Sequence, residues 1–124
     1  MENVKLKEIL KNFFKEAEAI YLFGSFAKNE FNENSDIDIA VLYKKKLDRV
    51  ELFKKQEELF LKFNRDIDLV DLQDVNDVFA YEIINNSIKL KNSEFAEGFE
   101  YRIWLRYLDL QDDRKEIIED FLNG

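Results

Sequence analysis

The chain has 124 residues, with 27 acidic against 19 basic side chains, a net charge of −8, no histidine and no cysteine. Without histidine there can be no Ser-His-Asp triad, no Cys-His pair and no histidine general base, and without cysteine no disulfide or thiolate metal site. The acidic balance speaks against a stable nucleic-acid footprint, which needs clustered Lys and Arg, and is compatible with a basic protein partner.

Hydrophobic content of 46% and aromatic content of 15% argue for a packed globule rather than disorder. The length predicts one domain, residues 1–124, with a modest core. No apolar run reaches membrane length and no leader pattern is visible, so a cytoplasmic protein without a membrane partner is expected.

In chain order, residues 2–17 set Leu6, Ile9, Leu10, Phe13, Phe14 and Ala17 at helical spacing, which predicts an amphipathic helix on the core. Residues 19–23 read as a strand, 25–31 as a short helix and 36–43 as a second strand. Lys44-Lys45-Lys46 reads as a solvated loop. Residues 47–63 predict a helix with Val50, Phe53 and Phe60 inward and Gln56 and Glu57 interrupting that stripe. A third strand at 66–72 repeats an Asp-Ile-Asp pattern, with Asp66 and Asp68 on one face and Asp71 on the other, at the surface. A helix at 75–86 and a short strand at 87–90 follow. Residues 93–110 predict a long helix with Phe95, Phe99, Ile103, Trp104, Tyr107 and Leu108, in which Trp104 and Tyr107 read as core, a subunit contact being the alternative. A separate last helix near 112–122 turns Ile117, Ile118, Phe121 and Leu122 inward.

The chemistry-bearing stretch is Tyr21-Leu22-Phe23-Gly24-Ser25, followed by Ser35-Asp36-Ile37-Asp38. Side chains alternate along a strand, so Asp36 and Asp38 point the same way, about 6–7 Å apart. Two such carboxylates repel unless a cation sits between them, and oxygen ligands of this kind suit Mg²⁺. The chain has three glycines, Gly24, Gly98 and Gly124, and no proline. Gly24 at the end of a strand therefore marks a sharp bend or a close approach to a ligand. Ser25 would open the next helix, where free N–H groups make a phosphate seat. Bringing Gly24 beside Asp36 and Asp38 requires the first two strands to be antiparallel. A helix joins the second and third strands, which makes them a parallel pair with a right-handed crossover. An α/β fold results, a small mixed sheet flanked by helices. Strand parity leaves Asp66 and Asp68 equally placed as a third acid.

Gly24-Ser25, ten further residues and then Asp36-Ile37-Asp38 match the Gly-Ser-x10-Asp-x-Asp signature. In this the chain resembles the DNA polymerase β-like nucleotidyltransferase superfamily. It is most similar to the minimal members, the MntA-type antitoxins that partner HEPN-domain toxins. Asp66-Ile67-Asp68-Leu69-Val70-Asp71-Leu72 resembles the family's third strand, Tyr81-Glu82-Ile83-Ile84 and Ile88-Lys89-Leu90 its next helix and strand, and Arg106-Tyr107-Leu108-Asp109 its C-terminal helix. The resemblance implies transfer of AMP from ATP, a nucleoside triphosphate, to a hydroxyl, a tyrosine of a HEPN ribonuclease toxin. It implies two Mg²⁺ ions held by Asp36 and Asp38, with Asp68, selected by the family pattern, holding the catalytic ion and accepting the proton. Gly24 and Ser25 would grip the triphosphate. Where the family usually reads Ala-Arg-Gly the chain has Ala27-Lys28-Asn29, so Lys28 becomes the candidate phosphate contact, with the charge of arginine but not its planar fork. Lacking histidine, the chain cannot carry the toxin's Arg-x4-His motif, so the toxin is a separate chain in a complex with it.

Two other functions fit the same residues. One is a nucleotidyltransferase acting on a small hydroxylated molecule such as an antibiotic, although only about thirty residues follow the fourth strand, too few for an acceptor domain of ordinary size. The other is a binding-only antitoxin with an inert site, its acidic surface masking a basic toxin. The plain structural alternatives are a solvated strand start at Asp36 and Asp38, a solvent-facing Asp66 beside Arg65, and a solvated Lys28.

Overall fold

Apolar side chains on both faces of the central strands set the architecture. The computed structural model describes the backbone of residues 2–30, 32 and 34–123 and, of these, the side chains of 4–30, 32 and 34–111. The elements are α1 (Glu2–Phe13), β1 (Ala19–Phe23), β2 (Ile37–Leu42), α2 (Arg49–Phe63), β3 (Ile67–Asp71), a 3-10 turn (Leu72–Asp74), α3 (Asp77–Asn85), β4 (Ile88–Lys91) and α4 (Glu94–Asn123). They form one sheet in the order β3-β2-β1-β4. β1 is antiparallel to β2 and to β4, while β2 and β3 are parallel. This is the mixed sheet and strand sense that the sequence predicts.

One face of the sheet presents Ile20, Leu22, Ile39, Val41 and Leu69 to Leu10 and Phe14 from the α1 region and Leu59 of α2. The other presents Tyr21, Ala40 and Leu42 to Ile83 of α3 and Phe99 and Ile103 of α4. Burying an aliphatic or aromatic side chain of this size contributes about 1.5–3 kcal/mol. A polar anchor supplements this on the α3/α4 side. The Tyr21 hydroxyl donates to Glu100 Oε2 at 2.6 Å, and Lys89 pairs with the same carboxylate at 2.5 Å. Burial and the Glu100 bond push the Tyr21 phenol far above its usual range, so it stays a donor.

Several sequence expectations are corrected. The first helix stops at Phe13; Phe14 and Ala17 are buried in the turn that follows, where the Ala17 N–H donates to the Phe14 carbonyl at 3.0 Å. The 25–31 segment is a turn rather than a helix, and Phe31 lies outside the described residues. The inward face of α2 is Leu52, Gln56, Leu59 and Phe63, whereas Val50, Phe53 and Phe60 are exposed. The cause is the sheet edge: β3 is an edge strand, and Gln56 Oε1 accepts the Leu69 N–H at 3.0 Å. An unpaired backbone donor beneath a helix is costly, and the glutamine that broke the apolar stripe is the residue that satisfies it. Trp104 is 46% exposed rather than core, while Tyr107 stacks on Tyr81 with ring centroids 3.7 Å apart. The last two predicted helices are one, because Leu110-Gln111-Asp112 contains nothing that breaks a helix. The inward placement expected for Ile117, Ile118, Phe121 and Leu122 falls outside the described side chains.

Asp71 is also corrected. It is buried rather than at the surface, 2% exposed, and its carboxylate accepts the N–H of Leu47 at 2.7 Å and of Gln73 at 3.0 Å. It ties the entry to α2 to the end of β3. Asp71→Ala is expected to lower stability by about 2–3 kcal/mol, the range for charge-assisted bonds, and Asp71→Asn by less, since an amide oxygen keeps one acceptor. Urea unfolding of the two variants checks this ordering.

Candidate active site

β1 ends at Phe23 and the chain turns at once. Gly24 has φ +65°, and a β-carbon placed on it would lie 2.1 Å from Oδ2 of Asp38. Only glycine fits: the conformation is left-handed, and the space belongs to a carboxylate. The next residues form one helical turn. The Glu30 N–H reaches the Ser25 carbonyl at 2.9 Å and the Asn29 N–H the Phe26 carbonyl at 3.3 Å, with Asn29 at φ 59°. This is a Schellman closure, whose left-handed residue is usually Gly and otherwise Asn. Asn29 therefore stands where the family's glycine would, in a conformation that asparagine tolerates.

Register places the acids. Across the antiparallel pair Phe23 faces Asp38, and across the parallel pair Asp38 faces Asp68. Asp38 alternates with the buried Ile37 and Ile39, so its carboxylate lies on the α3/α4 side of the sheet. Burial, then Asp68, then Asp36, raise the Asp38 carboxyl above the usual carboxylate range. The structure thus brings Asp36, Asp38 and Asp68 into one electrostatic neighbourhood beside Gly24. Among the described residues the lysine ion pairs, of Lys46, Lys55 and Lys89, all lie with other acids. Asp66 lies apart, in a hollow with Asn34, Ser35, Asp36 and Arg65, and its carbonyl accepts the Ile37 N–H at 2.9 Å.

Among the described residues no three His, Cys, Asp or Glu side chains close into a cage that could hold a metal alone. An all-oxygen donor set in which burial and two neighbouring acids raise the Asp38 carboxyl still fits Mg²⁺, which takes one or two carboxylates and completes its shell from substrate phosphates and water.

Next to the acids is a cleft of about 530 Å³ lined by Phe23, Gly24, Lys28, Phe79, Asn85 and Asn86, among others. Its size suits a small-molecule ligand. Lys28 is exposed at its rim, and Ser25 sits in the turn behind Gly24. The loop into β2 is held by Arg65, whose guanidinium donates to the carbonyls of Asn32 and Ser35. The sequence reading missed Arg65 as a support for Asp36, because a lone arginine beside Asp66 carries no spacing signal. Lys46 is engaged elsewhere: it pairs with Asp74 at 2.7 Å, past the far end of β2.

This frame is the one expected of a nucleotidyltransferase. A family model described as polymerase beta, nucleotidyltransferase, matches residues 4–95, and the chain belongs to that family. It is similar to the protein adenylyltransferase MntA of Shewanella oneidensis, 31% identical over 119 residues that cover 95% of this chain and 86% of that protein. It superposes on a chain of a toxin–antitoxin crystal structure with AMP-PNP, with a TM-score of 0.78 and 30% identity over 98% of this chain and 99% of that one. A structure of tri-AMPylated Shewanella oneidensis HEPN toxin with MNT antitoxin gives a TM-score of 0.75 and 28% identity, covering 98% and 99%.

Two outcomes follow from the geometry. Gly24→Ala must leave the left-handed region or push Asp38 aside, at a cost of about 1–3 kcal/mol, with displacement of the Asp38 carboxylate visible by crystallography. For Asp38, the folded pKa lies above the unfolded one, so its contribution is intact below about pH 4 and is lost as pH rises through the raised value. Asp38→Asn, which cannot ionise, should therefore melt higher than the parent at neutral pH, and the difference should vanish in acid.

Proposed function

We propose that the chain is a Mg²⁺-dependent protein adenylyltransferase that moves AMP from ATP to a tyrosine hydroxyl of a HEPN ribonuclease toxin and thereby neutralises it. The observation that carries the reading is the register of Asp38 with Asp68 beside the left-handed Gly24. It occurs in a chain similar over nearly its whole length to a named protein adenylyltransferase. A relative's solved complex holds an ATP analogue, and another holds an AMPylated HEPN toxin, which supports the donor and the acceptor class.

Asp36, Asp38 and Asp68 would hold the divalent ions, which when bound supply charge neutralisation at the attacking and leaving oxygens. The backbone N–H groups of the Gly24 turn and the Ser25 hydroxyl hold the triphosphate, and Lys28 at the cleft rim adds a positive charge to it. The nucleoside enters the cleft lined by Phe23, Phe79 and Asn85. The acceptor oxygen attacks the α-phosphorus, its proton passes to Asp68, and the bond to the pyrophosphate oxygen breaks. Positioning and charge stabilisation carry most of such a step, so a chain without histidine can perform it.

Incubation with labelled ATP, Mg²⁺ and the product of the adjacent reading frame should label that product. Asp38→Ala should cut the rate by at least about 100-fold without unfolding the chain. Label on a small hydroxylated drug instead would move the assignment to a small-molecule transferase. Neutralisation that survives Asp36→Ala with Asp38→Ala would mean masking rather than chemistry.

A further inference from the structure

We infer that the outer face of α4 is the docking surface for the acceptor, a basic protein that seats an apolar patch against Trp104. The inference rests on the proposed function for the identity of the acceptor, and on the following geometry for the surface.

α4 is 30 residues, about 45 Å long. Its inner stripe packs on the globule through Phe99 and Ile103, with Tyr107 stacked on Tyr81. Arg106 pairs with Asp77, the first residue of α3, at 3.6 Å. At that level α3 ends, and the α4 backbone runs on to Asn123. A second stripe, Tyr101, Trp104, Leu105 and Leu108, lies at i, i+3, i+4 and i+7 and is 40–59% exposed. Adjacent large apolar side chains left open on one helix face mark an interaction site rather than a free surface.

Charge identifies the partner. Nine acidic residues against four basic ones give α4 five of the chain's eight net negative charges. From Asp109 onward there are six acids and two bases. A protein that acts on RNA presents a basic surface, and an acidic helix complements it. The other open apolar stripe, on α2 (Val50, Phe53 and Leu61), has no such field, with four basic residues and three acidic. Position points the same way. Tyr101 and Trp104 of the open stripe line a hollow with Ile84 and Asn85 of α3, and Asn85 also lines the nucleotide cleft together with Phe23. Phe23 precedes Gly24 and faces Asp38. A protein held on α4 therefore lies against the wall of the nucleotide cleft, where its hydroxyl can be presented to the acids.

The test compares binding and transfer, using the product of the adjacent reading frame as the probe. Trp104→Ala with Leu108→Ala should weaken binding by calorimetry at least about 10-fold while the melting temperature and AMP-PNP binding stay at parent values. Asp112→Lys with Asp113→Lys and Glu116→Lys should slow association and flatten its salt dependence. Parent-like affinity in both variants would overturn the docking surface, whatever the outcome for transfer. So would a dimer of the chain alone that Trp104→Ala converts to monomers, since a second copy would then be the occupant. A complex that forms through this face, yet never carries label, would leave the surface standing and remove the transferase reading.

Discussion

Repulsion between carboxylates on neighbouring strands is the constraint around which this fold is arranged. Strands lie about 4.8 Å apart, so parallel register between Asp38 and Asp68 forces two acids together, and burial together with that repulsion raises the Asp38 carboxyl above its usual range. Nothing in the apolar core requires that pairing: Ala40 and Leu42 on the same face of β2 show what a buried position otherwise takes. The strain is concentrated at the end of the sheet where Gly24 and Asn29 both hold left-handed backbone. Strained conformations and mutually repelling acids gathered at one edge are the pattern expected where stability has been given up for binding.

The surroundings compensate with ordinary means. The two apolar layers and the Tyr21–Glu100–Lys89 cluster fix the central strand. Asp71 fastens the far end of β3, and Arg65 holds the loop that delivers Asp36. These residues set where the acids stand, so the site depends on parts of the chain that its own motif does not reveal.

The strands and their senses were legible because two-residue alternation and the Gly-Ser to Asp-x-Asp spacing admit few arrangements. The candidate acids were legible by the same logic, down to the choice between Asp66 and Asp68, which parity left open and only the family pattern addressed. What remained hidden was tertiary. Apolar periodicity in α2 favoured Val50, Phe53 and Phe60, but the edge of β3 needed Gln56, and one backbone hydrogen bond turned the helix the other way. Asp71 looked like a surface acid because its partners, the N–H groups of Leu47 and Gln73, are backbone groups that leave no trace in side-chain pattern. Trp104 looked like core because helical spacing does not say which of two apolar stripes is covered.

That last ambiguity bears on how so small a chain would act on the protein acceptor proposed for it. The described residues offer a nucleotide-sized cleft, three acids and a shallow polar hollow beside Asp36 at the same sheet edge. An enzyme of this size can take its acceptor geometry from the partner's own surface, and then docking rather than pocket shape decides which hydroxyl reacts. In-line displacement tolerates little misplacement, so the docking element must be stiff and anchored close to the chemistry. α4 meets both conditions: its first half is bolted to the sheet through Glu100 and to α3 through Tyr107, and its open stripe begins at Tyr101, the residue after Glu100.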